Sequence, residues 1–261
     1  MARKKKPKPN DVILGDALEV MRGWPDDCVD HCIADPPFNM SKKKGLGWAF
    51  SSHVTMQEQW DTFSEDEFFR FNVDWLREVC RVVKPNGNIL VFGTFHSIYQ
   101  LGFILQSGLN RRVLNSVIWY KPNAQPNITA RMLTESTEQL IWAVNGASAG
   151  KDKATKWTFN YWRAKELNND KQMRNLWEFA VTPRSERELG KHPSQKPLGL
   201  LERLVELGSE PGQLVLDPFG GAGTLAVAAE KLGRNWVLVE SEQEYANLAQ
   251  ARLAALREES A

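Results

Sequence analysis

The chain has 261 residues, 42% of them hydrophobic and 25% charged, with a formal net charge of +1 at pH 7. This is an ordinary globular composition, long enough to bury one sizeable core. A near-neutral balance names no polyanionic partner by charge alone. No apolar run reaches the roughly 20 residues of a membrane-spanning helix.

The first ten residues hold Arg3, Lys4, Lys5, Lys6 and Lys8 without an acid. They read as a solvated basic tail, 1–10, ahead of a single domain over 11–261. No apolar signal-peptide core follows, so a soluble, cytoplasmic protein without membrane contact is expected. Cys28, Cys32 and Cys80 are too few and too poorly spaced for a disulfide framework or a four-ligand zinc site. They receive no role, and no metal is expected.

Short apolar runs suited to buried strands cover 12–14, 29–34, 88–92, 117–120, 139–144, 213–216 and 236–239. Helix patterns lie between them at 64–83, 198–208, 224–232 and 242–257. The first opens on a capping box of Ser64 with Glu67 and stops at Lys84-Pro85-Asn86-Gly87. Seven strands alternating with helices predict an α/β chain with a mostly parallel sheet covered on both faces.

Two stretches break that rhythm and become candidates for substrate contact. Residues 41–63 hold Lys42, Lys43, Lys44, Trp48 and Trp60, and the lysines are expected on a mobile flap that closes over the substrate. Residues 145–190 interleave basic and aromatic side chains: Lys156, Trp157, Tyr161, Trp162, Arg163, Lys165, Arg174, Trp177, Arg184 and Arg187. This suits phosphate contact and base readout, against the plainer reading of aromatics packed on the core. Trp60 and Trp75 read as packing residues, and His31, His53 and His96 as surface or satisfied core histidines.

Asp35-Pro36-Pro37-Phe38 follows one predicted strand directly. Its prolines restrict the backbone and preset the positions of hydrogen-bond acceptors. A second strand runs into Asp217-Pro218-Phe219-Gly220-Gly221-Ala222-Gly223-Thr224 and a helix pattern. A strand, a glycine-rich turn and a helix N-terminus bring free amides close to a ligand. The next strand ends on Glu240, about 20 residues after the glycines, where an acid suits ribose hydroxyls. Together these describe a nucleoside cofactor site. The glycine spacing departs from Gly-x-Gly-x-x-Gly, which argues against a nicotinamide cofactor.

Asp-Pro-Pro-Phe together with Phe-Gly-Gly-Ala-Gly resembles the DNA amino-methyltransferases that use S-adenosylmethionine, and the order of the two motifs resembles their circularly permuted beta class. Ile118-Trp119-Tyr120-Lys121-Pro122-Asn123, the 138–142 segment and His192-Pro193-Ser194-Gln195-Lys196-Pro197 resemble further family segments, so the likeness runs from about residue 12 to 248. It implies a Rossmann-like class I methyltransferase fold with a seven-stranded sheet, and S-adenosyl-L-methionine as cofactor. Asp35, Pro36, Pro37 and Phe38 would be catalytic. Cofactor contacts would come from Asp16 near the adenine, Asp35, Asp217, Phe219, Gly221, Gly223, Thr224 and Glu240. His192, Ser194, Gln195 and Lys196 would lie by the methionine end. The 145–190 insertion would read the target.

The implied chemistry is methylation of an exocyclic amine in double-stranded DNA, with the base flipped out and stacked on Phe38. Asp35 in the first position, where the family's cytosine enzymes more often carry serine, points to adenine N6; cytosine N4 is the alternative. RNA adenines, protein glutamine and a catalytically silent nucleic-acid-binding protein are the competing readings. The resemblance also allows a homodimer and a cognate restriction endonuclease acting on the same site.

Overall fold

The structure is a computed structural model and describes residues 4–40, 61–127 and 131–259. The expectations for Lys42, Lys43, Lys44, Trp48, His53 and Trp60 fall outside the described residues.

The chain runs through β1 (Asp11–Leu14), α1 (Ala17–Arg22), β2 (His31–Ala34), α2 (Glu65–Val82), β3 (Asn88–Gly93) and α3 (Ile98–Phe103), which continues as a π-helical turn to Gly108. It goes on through β4 (Arg112–Tyr120), β5 (Thr137–Val144), α4 (Tyr161–Glu166), β6 (Leu176–Glu178) and α5 (Leu198–Gly208). It ends with β7 (Leu214–Asp217), α6 (Thr224–Lys231), β8 (Asn235–Glu240) and α7 (Gln243–Glu259). The sheet order is β1-β8-β7-β2-β3-β5-β4-β6. Strands β1, β8, β7, β2 and β3 are mutually parallel, β5 runs against β3 and β4, and β6 is parallel to β4.

The sheet thus has eight strands among the described residues, where the apolar pattern predicted seven. The additional one, β6, is only three residues long and lies inside the 145–190 stretch. Three residues are too short to declare a period, and the strand exists because Ile118–Tyr120 of β4 offers it a free edge.

Alternation along the strands builds two cores. Ile33, Leu90 and Phe92 join Leu200, Leu204, Leu225 and Leu253 from α5, α6 and α7. Cys32, Ala34, Ile89 and Val91 join Met21, Trp75, Leu76 and Leu101 from α1, α2 and α3 on the other face. Helix α2 starts where the capping box places it. The Ser64 hydroxyl accepts from the Glu67 amide, and the Glu67 carboxylate accepts from the Ser64 amide at 2.9 Å. Trp75 is fully buried and donates its indole N–H to Asn72 at 2.9 Å. His31 is buried too, with Nδ1 accepting from the Asn88 amide and Nε2 beside Gln213.

The N-terminal segment 4–10 follows the body of the protein. Lys5 N–H donates to Gly23 O at 3.3 Å, and Asn10 N–H to Trp236 O at 2.6 Å. This lays β1 against β8, the neighbour that a cofactor half built on β7 and β8 needs. The C-terminal ends of β1, β8, β7, β2 and β3 therefore share one edge of the sheet, the edge at which open α/β sheets bind ligands.

Candidate active site

Each functional segment leaves the end of a strand at that edge. Asp35 to Phe38 follow β2, the glycine turn joins β7 to α6, and Glu240 closes β8. The 192–197 segment lies across them just before α5. Asp16, the Asp35 to Phe38 tetrad, His192, Ser194, Gln195, Lys196, Asp217, Phe219, Gly221, Thr224 and Glu240 line one cleft of about 1190 Å³, mouth included. Gly223 alone among the expected residues stands behind it, as the left-handed N-cap of α6 with φ +72°.

The glycine turn needs its glycines. A Cβ on Gly220 would meet the Leu238 side chain at 2.1 Å. Gly221 has φ +48°, and its backbone passes under the His192 ring. A Cβ on Gly223 would come within 2.7 Å of the Ala249 Cβ at a positive φ. Gly223→Ala should therefore destabilise the fold by about 1–3 kcal/mol. Gly212→Ala, at φ +80° with open space around it, should cost less; the two thermal unfolding curves check this.

Glu240 fastens the turn. Oε2 accepts from the Gly221 amide at 2.7 Å and Oε1 from the Glu242 amide at 2.8 Å. Asp217 accepts from the Phe219 amide at 3.1 Å, and Asp16 caps α1 through the Glu19 amide at 3.0 Å. Phe219 packs edge-on to Trp75 at 5.2 Å, so its ring ties the turn to α2. Arg252 of α7 donates to Ala222 O at 2.7 Å and Thr224 Oγ1 at 2.8 Å, which fixes the start of α6. His192 stacks edge-on to Tyr245 at 4.3 Å, and burial lowers its pKa to about 4, so it is a neutral ring at physiological pH.

Five carboxyls line the cleft, those of Asp16, Asp35, Asp61, Asp217 and Glu240. Burial pushes Asp217 up to about 8, with Asp35 and Glu240 adding like-charge repulsion, and burial also raises Glu240. Such a cleft is short of positive charge. A nucleoside carrying a sulfonium and an ammonium fits it, because each cation would stabilise the ionised acids while the glycine turn receives the polar groups.

Asp35 is held by a lysine. Lys196 Nζ lies 2.6 Å from Oδ2, while Oδ1 is buried without a hydrogen-bond partner among the described residues. Lys196 is itself 6% exposed and sits over the rings of Phe38 at 5.1 Å and Phe92 at 5.3 Å. Burial raises Asp35 to about 6 despite Lys196, whose charge pulls the other way; Glu138 adds to the rise. Phe38 is 8% exposed, which leaves it a narrow face toward the cleft.

Sequence reasoning missed three residues here. Glu138 meets Lys196 at 3.3 Å and Lys121 at 3.1 Å. Asp61, 1% exposed, accepts from the Asn39 and Met40 amides at 2.6 and 2.9 Å and so anchors the chain just after Phe38. Phe92 forms the wall behind Lys196. Glu138 lies in a segment read as a strand and as part of the family likeness but given no site role, and no spacing marks Asp61.

The 145–190 stretch divides between the two edges of the sheet. Asn88, at the N-terminal end of β3, holds Thr158 O at 2.8 Å, Asn160 N–H bonds Leu207 O, and Arg163 pairs with Glu206 near the end of α5. Trp157, Tyr161, Trp162 and Lys165 therefore lie by the edge opposite Asp35. Trp177 is buried, as the plainer reading has it. By contrast, residues 182–187 pack on the segment that carries Lys196, with Gln195 Nε2 donating to Glu186 O at 3.0 Å.

No helix among the described residues is long and apolar enough to cross a membrane, and no cluster of His, Cys, Asp or Glu there could hold a metal. The three cysteines are buried and free.

Residues 29–251 match the DNA methylase family of N6 and N4 methyltransferases. The chain is 37% identical over 254 residues to the type II methyltransferase M2.DpnII of Streptococcus pneumoniae, covering 95% of this chain and 92% of that one. It is 34% identical over 246 residues to type II methyltransferase M2.MboI of Moraxella bovis, covering 93% and 86%. Among solved structures it is similar to M1.HpyAVI in complex with SAM, with a TM-score of 0.69 and 28% identity over 93% of this chain and 98% of that one. The cytosine-N4-specific PvuII DNA methyltransferase shares the fold, with a TM-score of 0.72 at 18% identity over 95% of this chain and 87% of that one. A cleft built from an Asp-Pro-Pro-Phe strand end and a glycine turn, and a match across most of the chain, have one reading: this protein belongs to the DNA methylase family and is an S-adenosylmethionine-dependent DNA methyltransferase.

Proposed function

We propose that the enzyme methylates the N6 amine of adenine at a specific site in duplex DNA, with Asp35 Oδ1 receiving the amine. The observation that carries this reading is Asp35 Oδ1, buried and without a hydrogen-bond partner among the described residues, on a side chain that lines the cofactor cleft. An aromatic amine is a weak nucleophile because its lone pair is delocalised into the ring. Acceptors at Asp35 Oδ1 and the Pro36 carbonyl would draw on both amine protons and favour the tetrahedral nitrogen needed for attack. The prolines preset these positions, so little reorganisation accompanies reaction.

S-adenosylmethionine supplies the methyl carbon: the N–C bond forms as the C–S bond breaks, and the electron pair leaves with sulfur as a neutral thioether. The surplus amine proton passes to Asp35 and then to solvent. The glycine turn, Glu240, Asp217 and Asp16 hold the nucleoside, with Thr224 at the start of α6. His192, whose ring lies against Gly221, would line the same cleft with Ser194 and Gln195. Positioning supplies most of the rate. The target base is flipped into the cleft against Phe38, at a few kcal/mol offset by stacking and phosphate contacts.

The same acceptors would serve cytosine N4. An acid at position 35 favours adenine. Reading single molecules of enzymatically amplified bacterial DNA after treatment tests the proposal: modified adenines in one short motif support it, and modified cytosines move the target to N4.

DNA contact is best supplied by the part of 145–190 beside the site. Arg184 and the adjoining Lys191 are exposed there. Arg184→Ala with Lys191→Ala should weaken DNA binding roughly uniformly across sequences and lower the salt slope by about 1 for each phosphate no longer neutralised. A salt titration of binding checks this. Kinship with type II methyltransferases supports a cytoplasmic role beside an endonuclease that cuts the same site. A homodimer belongs to the same proposal, with sedimentation as its test.

A further inference from the structure

We propose that Lys196 is a positioning residue for methyl transfer, gripping Oδ2 of Asp35 so that Oδ1 alone faces the target amine as a carboxylate oxygen, with Glu138 and Lys121 completing a charge-balanced chain. The inference rests on the reading of Asp35 as the amine acceptor.

The chain of contacts is continuous. Lys196 Nζ stands 2.6 Å from Asp35 Oδ2 and 3.3 Å from Glu138 Oε2, and Glu138 Oε1 stands 3.1 Å from Lys121 Nζ. Two carboxylates and two ammonium groups cancel. Cancellation matters because the side chains of Lys196, Lys121 and Glu138 are only 6%, 13% and 15% exposed, and an unpaired buried charge is expensive. The rings of Phe38 and Phe92 hold the ammonium laterally, so Lys196 has little freedom to leave Asp35. The 192–197 segment thus delivers its lysine to the acid of the tetrad, whereas the family resemblance assigned it to the methionine end of the cofactor.

The chemistry needs this partner. A neutral Asp35 would present a hydroxyl, a donor competing for the amine lone pair that must attack the methyl carbon. A carboxylate accepts an amine proton by hydrogen bond as the N–C bond forms and the C–S pair leaves with sulfur, and then takes the surplus proton. The groups facing Asp35 are Lys196, Glu138 and Asp217, with His192 beyond Lys196. Of these only Lys196 favours the ionised form: burial and Glu138 oppose it, while Asp217, pushed up to about 8, and His192, lowered to about 4, are both neutral as Asp35 titrates.

The test is the pH profile of kcat for wild type, Lys196→Met, Lys196→Arg and Glu138→Gln, with S-adenosylmethionine affinity measured for each by calorimetry. Activity is lost as pH falls through the pKa of Asp35. Removing the lysine charge should move that acid limb up by about 1–3 pH units, with cofactor affinity kept. Lys196→Arg should return the limb toward wild type. Glu138→Gln, which removes a like charge, should move it down. An unmoved limb in Lys196→Met together with a lost cofactor affinity would make Lys196 a cofactor contact and overturn the inference. Asp35→Asn separates the two levels. If it keeps full activity, the amine-acceptor reading itself fails; if it is inactive while the Lys196→Met limb is unmoved, only the present inference fails.

Discussion

Asp35→Ala should lower kcat by about 10²–10⁴-fold while S-adenosylmethionine still binds. The substitution removes a carboxylate oxygen that is buried and without a hydrogen-bond partner among the described residues. It leaves the glycine turn, Glu240 and α6 untouched, because none of their hydrogen bonds involves Asp35. Lys196 loses its shorter ion pair but keeps Glu138, so the cleft is expected to hold its shape. Single-turnover methyl transfer with saturating DNA, alongside calorimetric cofactor binding, separates the two effects. Full activity in this variant would remove Asp35 from the mechanism.

Glu240→Ala should lower cofactor affinity by about 10–100-fold, the equivalent of one hydrogen bond to a charged group. Its carboxylate holds the Gly221 amide at 2.7 Å and the Glu242 amide at 2.8 Å, and faces the cleft where a ribose would lie. Loss of the acid removes the lock on the turn and, with it, the proposed ribose acceptor. Glu240→Gln keeps one carbonyl acceptor and should fall between the two. An affinity unchanged in both variants would move the ribose elsewhere in the cleft.

The alternation of buried strands and amphipathic helices was legible because apolar period reports burial directly. The runs at 29–34 and 88–92 become β2 and β3, buried along their whole length. The Ser64 to Glu67 capping box was legible for a similar reason, since its partners are three residues apart and need nothing else. Short elements were not. Helices α1, α3 and α4 have six residues each, and β6 has three; each is held by what it packs on.

The candidate site divides the same way. The tetrad and the glycine turn can be read because proline and glycine carry backbone information wherever they occur. Pairings between distant segments carry none. Lys196 finds Asp35 across 161 positions, and Glu138 joins them from an antiparallel strand. The same blindness grouped Trp162 with Arg184, although the fold sends them to opposite edges of the sheet.

Mass spectrometry of nucleosides from unmodified bacterial DNA incubated with the protein and methyl-deuterated S-adenosylmethionine tests methyl transfer to adenine most directly. The expected product is N6-methyladenine carrying the intact deuterated methyl group. Labelled N4-methylcytosine in its place would contradict the adenine assignment drawn from Asp35, and unlabelled DNA with the cofactor bound would contradict DNA methyl transfer itself.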